Sequence, residues 1–129
     1  MTTVLVADDD QDIRDTVRDI LEAESYTVLE AQNGSEVLHL LNTTPQPLVV
    51  LLDLKMPQLD GAGVLRLVAA NKKLATRNHY ILMTAHKRSL PLAFANLLFR
   101  LHILVLPKPF NVDQVVTMVA DAARMLPAR

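Results

Sequence analysis

Leu48-Val49-Val50-Leu51-Leu52 is apolar at every position. A strand with one wet face alternates apolar and polar residues. An unbroken run therefore predicts a strand covered on both sides, the condition of a parallel sheet sandwiched by helices. The rest of the chain agrees. Val4–Ala7, Tyr26–Ala31, His79–Thr84 and His102–Leu106 read as four more short strands. Between them apolar residues recur at helical spacing: Ile13, Val17, Ile20 and Leu21; then Val37, Leu38 and Leu41; then Val64, Leu65 and Val68. Leu90–Arg100 and Val112–Leu126 supply a fourth and a fifth helix. Asn33-Gly34-Ser35, Pro45 with Pro47, and Pro57 to Gly61 mark the turns. Five alternations of strand and helix predict an α/β fold, a (βα)5 doubly wound parallel five-stranded sheet in three layers. The expected extent is one domain, residues 1–129.

Composition removes several function classes. A chain of 129 residues, half of them hydrophobic, builds one core without staples. With no cysteine it is neither a disulfide scaffold, nor a thiol enzyme, nor a Cys-ligated zinc protein. Thirteen Lys and Arg against fourteen Asp and Glu leave a net charge of −1, without the basic excess of a nucleic-acid binder. The longest apolar stretch, Leu90–Leu106, is broken by Pro91, Asn96, Arg100 and His102, so no membrane span is expected. No basic stretch precedes an apolar run at the start, as a signal peptide would require.

Ligands of such sheets bind beyond the carboxyl ends of the strands. Asp8 and Asp9 follow the first strand, Asp53 the third, Thr84 the fourth, and Pro107-Lys108-Pro109 the fifth. Three carboxylates on one rim repel: two unit charges 4 Å apart cost about 4 kcal/mol at an effective dielectric near 20. Either their pKa values rise or a hard cation sits among them, and an all-oxygen set suits Mg2+. A cation flanked by a hydroxyl and an ammonium is what phosphoryl transfer needs, with one carboxylate as nucleophile. Taken singly each residue has an ordinary origin. A lone Asp after a strand usually caps a helix, as Asp10 is expected to do; a lone Thr favours strands; a lone Lys is solvated. The five together defeat that reading.

The segments Asp8-Asp9-Asp10-Gln11-Asp12-Ile13-Arg14, Leu51-Leu52-Asp53-Leu54-Lys55-Met56-Pro57 through Asp60-Gly61, Met83-Thr84-Ala85 and Leu106-Pro107-Lys108-Pro109-Phe110 resemble the receiver domain of two-component response regulators. The resemblance spans essentially the whole chain. It implies the strand order 2-1-3-4-5 and phosphorylation of Asp53 by a sensor histidine kinase or a phosphotransfer protein. It implies Mg2+ held by Asp8, Asp9, Asp53 and the backbone carbonyl of Lys55, and Thr84, Ala85 and Lys108 around the phosphoryl group. A cis Lys108-Pro109 peptide, tuning of phosphoryl lifetime by Lys55 and His86, and a cytoplasmic location belong to the same expectation. So does a switch rather than an enzyme, read out through the face of the fourth helix, fifth strand and fifth helix. Unless the chain is a domain excised from a longer protein, read-out is expected through protein contacts, since no output domain follows Arg129 in the sequence.

Two departures stand out. Phe99-Arg100-Leu101-His102 replaces the family's usual glycine turn before the fifth strand, and Val105 stands where many members carry an aromatic residue. On the fourth helix Leu90, Phe94, Leu97, Leu98 and Leu101 form a core stripe, leaving Leu92 and Phe99 opposite. These last two are either scattered surface residues or, with Val105, a partner or homodimer surface. The departures leave open a second function, a phosphorylation-independent interaction module. A free-standing Mg2+ hydrolase would need a further general acid and a cap segment, and only Asp60 is at hand. Gly61-Ala62-Gly63 lacks the third glycine of a dinucleotide fingerprint. Asp8, Asp10 and Asp12 have calcium-loop spacing, but Ile13 replaces the required glycine. His39, His79, His86 and His102 are too dispersed for a metal cluster.

Overall fold

A computed structural model of the chain describes residues 1–85 and 90–127. Its elements run β1 (Thr3–Ala7), α1 (Gln11–Ala23), β2 (Thr27–Ala31), α2 (Gly34–Thr43), β3 (Leu48–Asp53), α3 (Gly61–Ala69), α4 (Lys72–Arg77), β4 (His79–Thr84), α5 (Leu92–Arg100), β5 (Leu104–Pro107) and α6 (Val112–Arg124). The five strands pair in parallel in the order β2-β1-β3-β4-β5. All six residues of β3 and all six of β4 are buried, as the unbroken apolar run required. The edge strands β2 and β5 keep partial exposure.

Alternating side chains of the strands feed two cores. Leu5, Val50, Leu52, Tyr80 and Leu82 meet α2, α3, α4 and α5 on one face. Val4, Val6, Val49, Leu51, Ile81 and Met83 meet α1 and α6 on the other. Three layers result, and every crossover carries the chain back to the amino end of the next strand. Most helices start where the sequence supplies a cap. Asp10, Asn33, Asp60, Asn71 and Asn111 each accept a backbone N–H of the first turn, and Asn111 with Gln114 forms a capping box.

Two features differ from the expectation. The six-residue helix α4 was not foreseen; it is too short for a 3.6-residue pattern to declare itself. It is held by burial of Leu74 and by a polar knot beneath it, in which the Tyr80 hydroxyl donates to the Leu74 carbonyl at 3.0 Å. There Asn78 donates to Tyr80 at 3.3 Å and accepts from the Leu48 N–H at 2.9 Å. The second is the start of the fifth strand, at Leu104 rather than His102, because the glycine-free turn runs through His102. His102 takes φ 56° just past α5, its N–H bonding the Phe99 carbonyl and that of Ile103 the Leu98 carbonyl. This is a Schellman closure with a side chain where glycine costs least.

Candidate functional site

The carboxyl ends of β1, β3, β4 and β5 deliver their terminal residues to one cavity of 340 Å³. It is lined by Asp8, Asp9, Asp10, Ile13, Asp53, Leu54, Lys55, Thr84, Ala85 and Lys108. Asp8 continues the β1 ladder, its N–H bonding the Ala31 carbonyl at 3.1 Å, and it is fully buried. Its Oδ1 accepts the Asp10 N–H at 2.9 Å, and Asp10 in turn caps α1. Asp53 ends β3 and is 6% exposed. Thr84 ends β4 and is buried, and its carbonyl accepts the Lys108 N–H at 2.9 Å. That bond sets Lys108 beside β4, and the peptide to Pro109 is cis.

Oxygens of Asp8, Asp9 and Asp53 all lie within 4.8 Å of one another. The Lys108 Nζ sits among them, 2.7 Å from Asp8 Oδ2 and 3.3 Å from Asp53 Oδ1. Burial and the Asp8 charge raise the Asp53 pKa to about 6, against the opposing pull of Lys108. One ammonium does not compensate three clustered carboxylates. Burial alone would depress Lys108, but its hydrogen bond to Asp8 and the charge of Asp53 raise it, so it stays cationic. The donor set is oxygen only, anionic and open to solvent at Asp9, which fits a divalent hard cation such as Mg2+.

The structure thus gathers Asp8, Asp9, Asp53, Lys55, Thr84, Ala85 and Lys108 around one volume. His86 lies outside the described residues. Leu92, Phe99 and Val105 are exposed, by 77%, 83% and 38%, and none of them lines the cavity. Two supporting residues appeared in the sequence only as parts of a motif and a loop. Arg14 donates from Nη1 to the Asp8 carbonyl at 2.7 Å and pairs with Glu30 at 3.4 Å, bracing the end of β1. Gly61 packs under the Asp53 backbone: a Cβ there would lie 2.4 Å from the Asp53 carbonyl oxygen. Its N–H bonds the Leu54 carbonyl at 2.9 Å. The glycine was visible, but only the loop's path beneath β3 shows why no side chain fits.

Residues 4–120 match the family model described as response regulator receiver domain. The DNA-binding transcriptional regulator NtrC of Escherichia coli K12 is 33% identical over 121 residues, which is 92% of this chain and 24% of that protein. The chain therefore spans about a quarter of the length of such curated relatives. Among solved structures, a CheY-like receiver domain protein from Methanospirillum hungatei superposes with a TM-score of 0.81. It is 25% identical and covers 96% of each chain. The Francisella response regulator 1452 receiver domain gives 0.81 at 26% identity, covering 96% of this chain and 98% of that one.

Proposed function

We propose, from the premise that this chain belongs to the response regulator receiver domain family, that Asp53 is its phosphoacceptor in a Mg2+-dependent signalling switch. The observation that carries this reading is the Lys108 ammonium shared between Asp8 and Asp53 inside a cluster of three carboxylates. Asp8, Asp9 and Asp53, with the Lys55 carbonyl, would hold the cation. When bound it would neutralise charge building on phosphoryl oxygens.

The residues of the chain do the rest. An ionised Asp53 Oδ forms a bond to phosphorus as the bond from phosphorus to a phosphohistidine nitrogen breaks. The electron pair leaves on the imidazole, which takes up a proton. Lys108 is already beside the attacking carboxylate and offers its charge to the phosphoryl oxygens. The Thr84 hydroxyl and the Ala85 N–H are the neutral donors at the mouth of β4. Attack by water on phosphorus later restores the carboxylate. The donor is a sensor histidine kinase or a phosphotransfer protein, and the chain acts in the cytoplasm as a switch, not as an enzyme with a separate substrate. The exposed Leu92, Phe99 and Val105 support read-out by a protein partner, or by a second copy, on α5 and β5.

Incubation with a small phosphodonor and Mg2+, followed by intact-mass measurement, tests the reading. A transient gain of one phosphoryl group, absent from Asp53→Asn and from chelator-treated protein, is the expected result. No gain in the unaltered chain would leave the phosphorylation-independent interaction module instead, and steady turnover of a phosphate ester would indicate a hydrolase.

A further inference from the structure

Charge is segregated along this chain. Residues 61–112 contain eight Lys and Arg and no Asp or Glu, whereas residues 1–60 contain twelve Asp and Glu against three Lys and Arg. The topology turns this bias into a surface. Right-handed crossovers end each helix at the sheet edge opposite Asp53, so the last turns of α3 and α5 and the whole of α4 share that edge. The acids of this helical layer lie at the other end. Glu36 is in the first turn of α2, Asp60 caps α3, and Asp53 ends β3.

Four cations at this edge, Arg66, Lys72, Lys73 and Arg100, are exposed and make no ion pair or side-chain hydrogen bond among the described residues. Elsewhere Arg14, Arg18, Lys108 and Arg124 are all paired with carboxylates. Complementing the helix dipole accounts for Arg66 and Arg100, each in a last turn. It does not account for Lys72 and Lys73, which open α4 where the dipole disfavours a cation. Between Arg66 and Arg100 runs a cleft of 360 Å³, walled by Ala69, Ala70 and Ala93 and floored by Phe94 and Leu97.

We infer that the cleft between α3 and α5 is a docking site for an acidic, amphipathic segment of a partner protein. The small walls admit an apolar side chain against Phe94, and the two guanidiniums stand ready for carboxylates on either side of it. An apolar floor favours a protein over a nucleic acid, whose phosphates need cations but no pocket. The site is remote from the Asp53 cavity and separate from Leu92 and Phe99, since the two pockets share no residue and neither contains those two side chains.

The test uses a labelled synthetic peptide with Leu on one helical face and Glu flanking it, titrated into the whole chain. Saturable binding that moves the amide signals of Ala69, Ala70, Ala93 and Leu97 supports the inference. So does weakening of about tenfold in an Arg66→Glu, Arg100→Glu double variant. Binding should also weaken as salt shortens the Debye length from about 10 to 3 Å. Both altered residues are exposed, and unchanged phosphodonor labelling of Asp53 in that variant shows that the fold and the proposed switch are intact. No saturable binding, equal binding of a Gln-for-Glu peptide, an unaffected double variant, or tighter binding of an oligonucleotide of equal charge would overturn it.

Discussion

Asp53→Asn should make the metal-free protein more stable, although it removes one partner of an ion pair. The folded carboxyl has its pKa raised from 3.8 to about 6. It therefore holds its proton more tightly folded than unfolded. Its stability contribution is intact below about pH 4, is lost as pH rises from 4 to 6, and above that leaves a standing penalty. Two units correspond to about 3 kcal/mol at pH 7, with the help of Lys108 at 3.3 Å already included in the net shift. In a domain whose whole stability is about 5–15 kcal/mol this is a large fraction, and it should raise Tm by about 10 °C. Asn keeps the volume, and Lys108 keeps its 2.7 Å bond to Asp8. Urea unfolding followed by circular dichroism, in chelator, at steps between pH 4 and 8, measures it. The difference between the two proteins should be near zero at pH 4 and fully developed by pH 7. Adding Mg2+ should narrow it by stabilising the unaltered chain more. A variant that is no more stable at pH 7, or a difference that does not grow with pH, would refute the claim that burial and Asp8 outweigh Lys108.

Gly61→Ala should destabilise by about 2 kcal/mol or more and slow phosphodonor labelling, because the new methyl meets the Asp53 carbonyl at 2.4 Å; urea titration and intact mass check both. His102→Gly should stabilise by about 0.5–1 kcal/mol, since φ 56° strains a side chain; Tm measures it. His79 is buried, and burial followed by the charge of His102 lowers its pKa, so the folded state resists protonation and stability falls as pH drops below 6.5. His79→Leu should remove that acid-side loss, seen as a flatter stability curve between pH 7 and 5. Asp10→Ala should cost about 1 kcal/mol through the lost bonds to the Asp12 and Ile13 N–H groups, read by urea unfolding.

The alternation of strands and helices and the rim residues were legible because both rest on local signals, whereas the strand order followed from the family resemblance. Leu48–Leu52 announces burial on two faces, and Asp8, Asp9, Asp53, Thr84 and Lys108 each directly end or follow a strand. Helix α4 was not legible. Its single buried anchor, Leu74, carries no period, and the Tyr80–Asn78 knot that holds it joins residues from three elements. Arg14 and Gly61 were read as motif and loop, and their work beneath Asp8 and Asp53 depends on chain paths that spacing does not encode.

Periodicity and punctuation, which act within a few residues, were enough to determine the layers of this protein and the identity of the groups on its rim. What the Asp53 carboxyl does there was decided by packing. Sequence places three acids and a lysine together, but their balance depends on distances near 3 Å and on exclusion of water. Coulomb energies vary steeply with both. The acid-free stretch from residue 61 to 112 is likewise plain in the sequence, yet only the fold collects four of its cations at one edge, two of them, Arg66 and Arg100, lining an apolar cleft.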